Sequence, residues 1–580
     1  DLSVQAENDI VLGDLRVYRM QDIKNRTREA RGMGGDITFK AKNILTALKP
    51  ADITQKSKYD ILPTIQGSGL VKFEAEEKLE LGFMRFETIN VKPTRNMTHV
   101  FKAKNIEMGM ALGDDFKGNS SIDYSFLDQA ASVEHRIIIS AEEDVRLVSG
   151  VNLDVPSLSL EAGNLYINNS KITLEGNVES RINVRGEMEL LGGGYVESLS
   201  HYISPNFSKY KHPVDIEISS NQLTLAPGSF IRTVNHEDDN SGLKAISNLN
   251  IQAGDVLLDD AFIETRTSNP ASAGFLNLVA TNLELNNASR IGSYNFSGAQ
   301  SGSVTIESDR ILMGGLSAIE SGLTQVHEGA DLHKNLGNNG DIQISSSILQ
   351  IVGGSYIRNA QAGTSLPGNV SVTSGEISLA DGSYIATESV PLYQSDFSNR
   401  TKVDQNGSVT IKAGSLDLSD SSYVKTTTVI PKRNAGDITI EADRVSLSGR
   451  SSMLSNTEPN KFETEFGLTG LDYGNAGRLE IKTGSLELSD QSKISSDSFT
   501  NGDGGDVNLT ATGISLANRS AIYAGALGQG EGGRIAIDTG AMNLSGKSAV
   551  VADVRDSGNG GEVTVKAATL EMAESLIYGS

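Results

Sequence analysis

The fold is decided by a stretch in the last third of the chain: Gly505-Asp506-Val507-Asn508-Leu509-Thr510-Ala511, then Ile514-Ser515-Leu516, then Ser520-Ala521-Ile522. Aliphatic residues recur at every second position within these segments. An alternation with period two places every second side chain on the same face of a β-strand. We therefore expect three short strands and one inward row. The residues of that row are Val507, Leu509, Ile514, Leu516 and Ile522.

The same cassette recurs through the last part of the chain. Its minimal length is 28 residues, the step from Gly505 to Gly533. A repeated unit that cannot bury its apolar face alone is typical of solenoids. The sequence predicts an all-β fold, a right-handed parallel β-helix with three strands per rung and about 28 residues per minimal rung. The leading glycines, to which we assign a structural role, are Gly340, Gly368, Gly407, Gly436, Gly477, Gly505, Gly533 and Gly561.

The repeat is not equally regular along the chain. We expect residues 1–213 to form a less regular β-helical region with longer loops or hairpins, and residues 214–580 to form regular rungs. Expanded loops interrupt the regular region near 320–336, 388–405 and 456–473. All three follow the third side of a rung, and insertions in solenoids often cluster on the binding face. These loops are either a recognition edge or tolerated surface variation.

Composition excludes several classes of function. The chain has 580 residues, no cysteine and a formal net charge of −23. The absence of cysteine excludes disulfides, thiol nucleophiles and cysteine-based zinc sites. The acidic balance argues against nucleic acid as a partner. No apolar run approaches the roughly 20 residues that a membrane-spanning helix needs, so we predict no membrane insertion.

The sequence contains only weak signals for catalytic and metal-binding residues. Asp381, Asp420 and Asp490 share one position of the repeat, but other rungs hold asparagine or glycine there, which is typical of turns. The segment 502–506, with Asp503 and Asp506, is similar to calcium-binding glycine-aspartate repeats, but it does not recur in the neighbouring rungs. We predict no catalytic residue, no metal site and no cofactor, and leave structural calcium as the alternative.

Three tyrosines recur at one outward position of successive rungs. Tyr356, Tyr384 and Tyr423 each follow the serine that begins the third side. Stacked tyrosines can reinforce the ladder through cross-strand contact, and an exposed aromatic row can also bind sugar rings. The sequence leaves both interpretations open, and we name these three residues as the candidate glycan-contact column.

Repeats such as Gly436-Asp437-Ile438-Thr439-Ile440-Glu441-Ala442 resemble those of filamentous-haemagglutinin-like large exoproteins. The resemblance covers most of the chain and is strongest from about Gly274 to Ser580. It implies export by two-partner secretion through an outer-membrane secretion partner. It also implies a location that is secreted or at the bacterial cell surface, with roles in adhesion, aggregation and biofilm structure.

Together these observations predict a non-enzymatic adhesin or matrix fibre, a rigid rod that attaches to host cells, sibling cells or matrix, including polysaccharide. A structural filament, sheath or surface-layer-like protein is the alternative, followed by a polysaccharide-degrading enzyme on the same scaffold. The last repeat starts at Gly561 and stops within its third side. We therefore expect the chain to belong to a longer rod or to associate end to end with another copy.

Overall fold

β-Strands and short turns make up the regular structure of this chain. A computed structural model describes residues 2–12, 36–46, 64–66, 70–81, 85–87, 97–109, 135–148, 150–155, 157–174, 180–199, 215–235, 246–267, 272–295, 300–322, 339–362, 366–390, 404–459, 473–555 and 558–579. No helix occurs within these ranges. Successive repeats are joined by parallel strand pairs, as the pairing of Val507 with Ile535 illustrates. The prediction of an all-β fold built from parallel strands is confirmed.

The first compact unit comprises Asp1–Thr265. Its boundary lies beyond the change of regularity that the sequence predicts at residue 214. The strands of this unit, the last of which ends two residues beyond the boundary, are β1 (Leu2–Gln5), β2 (Asp9–Leu12), β3 (Ile37–Thr46), β4 (Thr64–Gln66), β5 (Leu70–Leu81), β6 (Arg85–Glu87), β7 (Met97–Ala103), β8 (Asn105–Met108), β9 (His135–Ala141), β10 (Asp144–Val148), β11 (Asn152–Val155), β12 (Leu158–Ala162), β13 (Asn164–Asn168), β14 (Lys171–Leu174), β15 (Ser180–Val184), β16 (Glu187–Leu191), β17 (Tyr195–Leu199), β18 (Ile216–Leu225), β19 (Phe230–Asn235), β20 (Leu249–Asp259) and β21 (Phe262–Thr267).

Long strands of the first unit lie beside pairs of short ones. Strand β5 pairs with β7 through its first half and with β8 through its second half. In the same way, β18 pairs with β15 and then with β16. Each of these long strands therefore continues past the point at which its short neighbours are interrupted. The core beneath includes a stack of Phe39, Phe73 and Phe101, whose neighbouring ring centroids lie 5.1 and 5.5 Å apart.

The second compact unit comprises Arg266–Ser580. Its strands are β22 (Leu276–Asn286), β23 (Arg290–Asn295), β24 (Val304–Met313), β25 (Ala318–Gly322), β26 (Ile342–Ile351), β27 (Tyr356–Ala362), β28 (Val370–Leu379), β29 (Tyr384–Val390), β30 (Asp404–Gln405), β31 (Val409–Leu418), β32 (Tyr423–Thr428), β33 (Arg433–Asn434), β34 (Ile438–Leu447), β35 (Ser452–Thr457), β36 (Leu479–Leu488), β37 (Lys493–Ser495), β38 (Val507–Leu516), β39 (Ala521–Tyr523), β40 (Arg534–Leu544), β41 (Ala549–Ala552), β42 (Glu562–Met572) and β43 (Leu576–Gly579).

Two parallel sheets run through the second unit. The long strands form one, in the order β22, β24, β26, β28, β31, β34, β36, β38, β40 and β42. The short strands form the other, in the order β23, β25, β27, β29, β32, β35, β37, β39, β41 and β43. The five predicted inward residues, from Val507 to Ile522, are all buried. The period-two pattern therefore identifies the core correctly.

In the second unit, a repeat contributes one long and one short strand to the two sheets where the sequence predicts three strands, whereas repeats of the first unit such as β12, β13 and β14 have three. Strand β38 contains both predicted strands of the first two sides. Its inward alternation shifts between Ala511 and Ile514, since Thr512 and Gly513 both face away from the core. The ladder to the next rung also skips Thr512. The strand thus changes its inward face at Thr512, while backbone hydrogen bonding continues on both sides of this residue.

The leading glycines lie where the backbones of successive turns are in close contact. A Cβ atom built on any of the eight would lie within 2.5 Å of a backbone atom of the preceding turn. Backbone atoms cannot rotate aside as the tip of a side chain can. This close approach explains physically why each of these positions requires glycine.

Buried polar side chains hold the same glycines in place. The Gly436 carbonyl oxygen accepts hydrogen bonds from Thr426 Oγ1 at 2.5 Å and Ser455 Oγ at 2.8 Å. The Gly340 carbonyl oxygen accepts one from Asn359 Nδ2 at 2.8 Å. Unpaired carbonyls would be costly in a buried position. Glycine at these two positions is therefore sterically required, and the carbonyl group of each is satisfied in its hydrogen bonding.

The three predicted expanded loops fall mostly on residues 323–338, 391–403 and 460–472. These lie outside the described part of the chain, so the recognition edge stays a prediction.

Candidate functional site

The structure brings the three predicted site residues together. Tyr356, Tyr384 and Tyr423 are the first residues of β27, β29 and β32, and they pair in register. The neighbouring ring centroids lie 4.8 and 4.7 Å apart, and the ring planes are within 5° and 7° of parallel. This separation is the strand spacing of a β-sheet. We call these three stacked, half-buried residues the tyrosine row.

The faces of these rings are largely occupied. The two rings on either side cover Tyr384, the Arg358 guanidinium lies 5.0 Å from the Tyr356 centroid, and the Lys425 ammonium lies 5.1 Å from the Tyr423 centroid. Both are cation–π contacts. A sugar that stacks on an aromatic platform needs an open face. The geometry therefore favours the ladder interpretation, and leaves ring edges and hydroxyl groups as the parts that a ligand can reach.

A row of alternating charges runs beside the tyrosine row. Arg358 pairs in register with Glu320 and donates to its Oε2 at 2.7 Å. The Glu320 side chain is only 2 % exposed. Glu388 contacts Arg358 at 3.8 Å and also contacts Lys425. Ala386 lies between Arg358 and Lys425 in the strand ladder. Because the side chain of Ala386 is small, Glu388 can reach both cations. We call these four charged residues the charge row.

Sequence reasoning missed the charge row, although the sequence contains a signal for it. Arg358 and Lys425 lie two positions after a tyrosine of the row, and Glu320 lies two positions after the equivalent Ala318. In a strand, positions i and i+2 share a face. A comparison of this second outward position between successive rungs shows Glu320 directly before Arg358, two residues of opposite charge on neighbouring rungs.

Burial and charge set the protonation states of the site. Burial lowers the pKa of Arg358, but the carboxylate of Glu320 raises it, and the net shift is upward. Burial likewise lowers the pKa of Lys425, but Glu388, together with Tyr423 and Glu458, raises it, and the net shift is upward. Burial raises the pKa of each phenol in the tyrosine row. At neutral pH the cations are charged and the three hydroxyl groups are protonated.

The first unit contains a second aromatic stack of the same design. Tyr195, Phe230 and Phe262 stack with neighbouring centroids 4.4 and 5.7 Å apart. The Arg232 guanidinium lies 4.3 Å from the Phe230 centroid and is paired with Glu197, whose side chain is 5 % exposed. Aromatic stacking beside a paired charge is therefore a feature of both units. Only one member of this second stack carries a hydroxyl group.

A half-buried carboxyl, that of Asp497, follows strand β37 of the short-strand sheet. Asp497 Oδ1 accepts from the Gly525 amide at 2.8 Å, and Oδ2 accepts from Ser495 Oγ at 2.7 Å. Burial raises the pKa of Asp497 above its ordinary range, the neighbouring Asp553 raises it further, and the two hydrogen bonds partly oppose the shift. The folded chain thus binds this proton more tightly than the unfolded chain does.

We expect Asp497→Asn to be more stable than the parent chain at neutral pH. Because the folded-state pKa is raised, ionisation destabilises the folded chain as pH rises above the unfolded value of about 3.9. Asparagine can still accept from Gly525 and stays neutral. Denaturant midpoints measured across pH should show a gain at neutral pH that shrinks toward pH 4. Asp506→Asn makes the same chemical change on an exposed side chain, and a gain that does not vary with pH would contradict the prediction.

The aspartates at the repeated corner position adopt left-handed backbone conformations. Asp381, Asp420 and Asp490 have φ values of 57°, 52° and 56°, and the equivalent Asn518 and Gly546 have values of 55° and 62°. Asparagine, aspartate and glycine tolerate this region better than other residues. The geometry therefore supports the interpretation of these residues as turn residues.

The calcium-like segment also has a structural explanation. Asp503 Oδ1 accepts a hydrogen bond from the Glu531 amide of the next rung at 2.8 Å. Within the described ranges, no three acidic or histidine side chains are grouped so that they could hold a metal ion.

In the same part of the chain, no helix has the length and hydropathy needed to cross a bilayer.

Comparison of the chain with protein-family models, with curated proteins and with solved structures finds no match.

Proposed function

We propose that each unit is a right-handed parallel β-helix with three sides per rung. Two observations support this architecture. Long strands such as β5 and β18 each lie beside two short strands, and β38 changes its inward face at Thr512. Each long strand then contributes two sides and the following short strand the third. Right-handedness follows from the general preference of parallel crossovers.

We propose that the chain is a non-enzymatic adhesin or matrix fibre that acts outside the cell or at its surface. The observation that carries this proposal is the in-register stacking of repeats, which arranges outward side chains in rows. The tyrosine row shows the effect, with three hydroxyl-bearing rings spaced by 4.8 and 4.7 Å. A row of this kind can make the same weak contact several times with a repetitive ligand such as a polysaccharide, and repeated contacts raise avidity.

The charges beside the tyrosine row support attachment over catalysis. Glu320, Arg358, Glu388 and Lys425 are paired with one another. A general acid or nucleophile would need a carboxyl poised toward the substrate. Export through an outer-membrane partner, and a secreted or cell-surface location, belong to the same proposal and rest on the resemblance of the repeats.

The attachment role is tested by replacing all three tyrosines of the row with phenylalanine. Phenylalanine keeps the stack, as Phe230 and Phe262 show in the other unit, and removes only the reachable hydroxyl groups. We expect binding of the purified chain to cells or immobilised polysaccharide to fall severalfold, because each hydrogen bond contributes about 0.5–1.5 kcal/mol.

Tyr195→Phe serves as the matched control, because it removes one hydroxyl from the stack outside the row. Unchanged binding of the triple variant would assign the row to ladder stability alone. Depolymerisation of an acidic polysaccharide by the parent chain would instead establish the enzyme alternative. A parent chain that binds no cell or matrix surface would favour the structural filament.

A further inference from the structure

The tyrosine row combines three oxidisable rings at short range. Tyr384 has a tyrosine on each side, with nearly parallel ring planes and centroids 4.8 and 4.7 Å away. The sequence has no cysteine and no tryptophan, the two side chains that would otherwise be oxidised at least as readily. Methionine oxidation gives a sulfoxide and forms no cross-link. One-electron oxidation of this chain is therefore directed to tyrosine.

We propose that the tyrosine row is a site of oxidative cross-linking, at which a peroxidase-class oxidant joins Tyr384 to Tyr356 or to Tyr423 by a carbon–carbon bond. The oxidant removes one electron and one proton from each of two phenols, and hydrogen peroxide accepts them to give two molecules of water. The two phenoxyl radicals form a bond between ring carbons ortho to their oxygens. The hydrogen on each of those carbons then moves to oxygen, which restores both aromatic rings.

The geometry favours coupling within the row. The unpaired electron of a phenoxyl radical occupies orbitals perpendicular to the ring plane, and these rings face one another in that direction. A radical on any member therefore has a partner at contact distance without diffusion. The rings are half-buried, so a large oxidant can approach their edges, while the backbone ladder prevents the side chains from separating.

The surroundings also supply a proton acceptor. Burial raises the pKa of the Tyr356 phenol, and the carboxylate of Glu320 lies close enough to raise it further. This carboxylate can receive the phenolic proton as the electron leaves. Burial raises the pKa of the Tyr384 phenol, so this group is neutral before oxidation and must lose its proton in the same step. A phenol without a nearby base would be oxidised more slowly.

The link would join rungs covalently. Tyr356 and Tyr384 are 28 residues apart, and Tyr384 and Tyr423 are 39 residues apart (384 − 356 and 423 − 384). Closing such a loop restricts the unfolded chain more than the folded one, as a disulfide does. In a chain without cysteine, this reaction would supply a covalent cross-link between rungs in place of a disulfide. The inference does not depend on the attachment role, because the reaction needs neither a cell nor a glycan.

The experiment treats the purified full chain with a haem peroxidase and hydrogen peroxide at low protein concentration. We expect dityrosine fluorescence, a monomer that is two hydrogens lighter, and a cross-linked peptide pair that contains Tyr384. The melting temperature should rise with the extent of reaction. Tyr384→Phe should lose the link to both neighbours, since this residue is shared by both candidate bonds, and it should keep the fold because phenylalanine stacks in the equivalent position of the other unit.

Tyr166→Phe is the matched control, because Tyr166 is a tyrosine outside the row with an arginine over its ring, and it should leave the yield unchanged. Oxidation in denaturant should abolish the preference for Tyr384. The proposal is overturned if the links form only between chains, if they involve tyrosines outside the row, or if Tyr384→Phe retains the parent yield.

Discussion

Replacing Gly436 by alanine is expected to destabilise the second unit by at least about 4 kcal/mol. Single substitutions cause losses of this size only through severe changes, such as a clash with backbone atoms in the core. The new Cβ would lie within 2.5 Å of the Gly407 carbonyl oxygen. The strand can move away only by breaking the hydrogen bonds that Gly436 accepts from Thr426 and Ser455. Denaturant unfolding of the purified variant measures the loss.

Gly513→Ala is the matched control in the same unit. Nothing lies within 4 Å of a Cβ built on Gly513, and the equivalent residue of the next rung is already Ala541. Alanine also restricts the unfolded chain, so we expect a gain of about 0.4–1 kcal/mol. Equal losses for the two variants would show that glycine contributes flexibility here, and would refute the steric explanation of the leading row.

The core could be predicted because its signal is local. Alternation within 505–522 identifies the inward side chains without knowledge of any neighbour, and the structure buries all of them. The leading glycines could be located for the same reason. Their role in close backbone contact could not, since the obstructing carbonyl belongs to a residue at least 28 positions away.

In the second unit, the number of hydrogen-bonded strands per repeat could not be predicted from the side chains. The alternation correctly shows a change of phase between Ala511 and Ile514, and from the sequence alone such a change predicts a gap between two strands. Backbone hydrogen bonds continue on both sides of Thr512. Side-chain periodicity reports which way a residue faces, whereas strand continuity depends on the backbone ladder.

The candidate site was predictable as a row but not as a geometry. The tyrosines share one position of the repeat, so their alignment followed from the period. The contact of Glu388 with both cations depends on the small Ala386 between them, and the partners of Arg358 lie 38 and 30 residues away (358 − 320 and 388 − 358). The connections between rungs differ in length, so the sequence separation between paired residues varies. A search for charge pairs at one constant spacing therefore misses them.

Leu516→Asp is expected to unfold several adjoining rungs of the second unit. Leu516 is 0 % exposed, and an unpaired carboxylate there costs several kcal/mol. Each rung is stabilised mainly by its two neighbours, so the loss should spread to β36 and β40 and appear as lost amide-exchange protection in both.

Two variants of the same strand serve as controls. Ile514→Val should cost only about 0.5–1.5 kcal/mol, and Thr510→Asp should be mild because Thr510 faces solvent. Protection lost in β38 alone would mean that rungs unfold independently, and equal effects of the two aspartates would mean that the inward row is wrongly assigned.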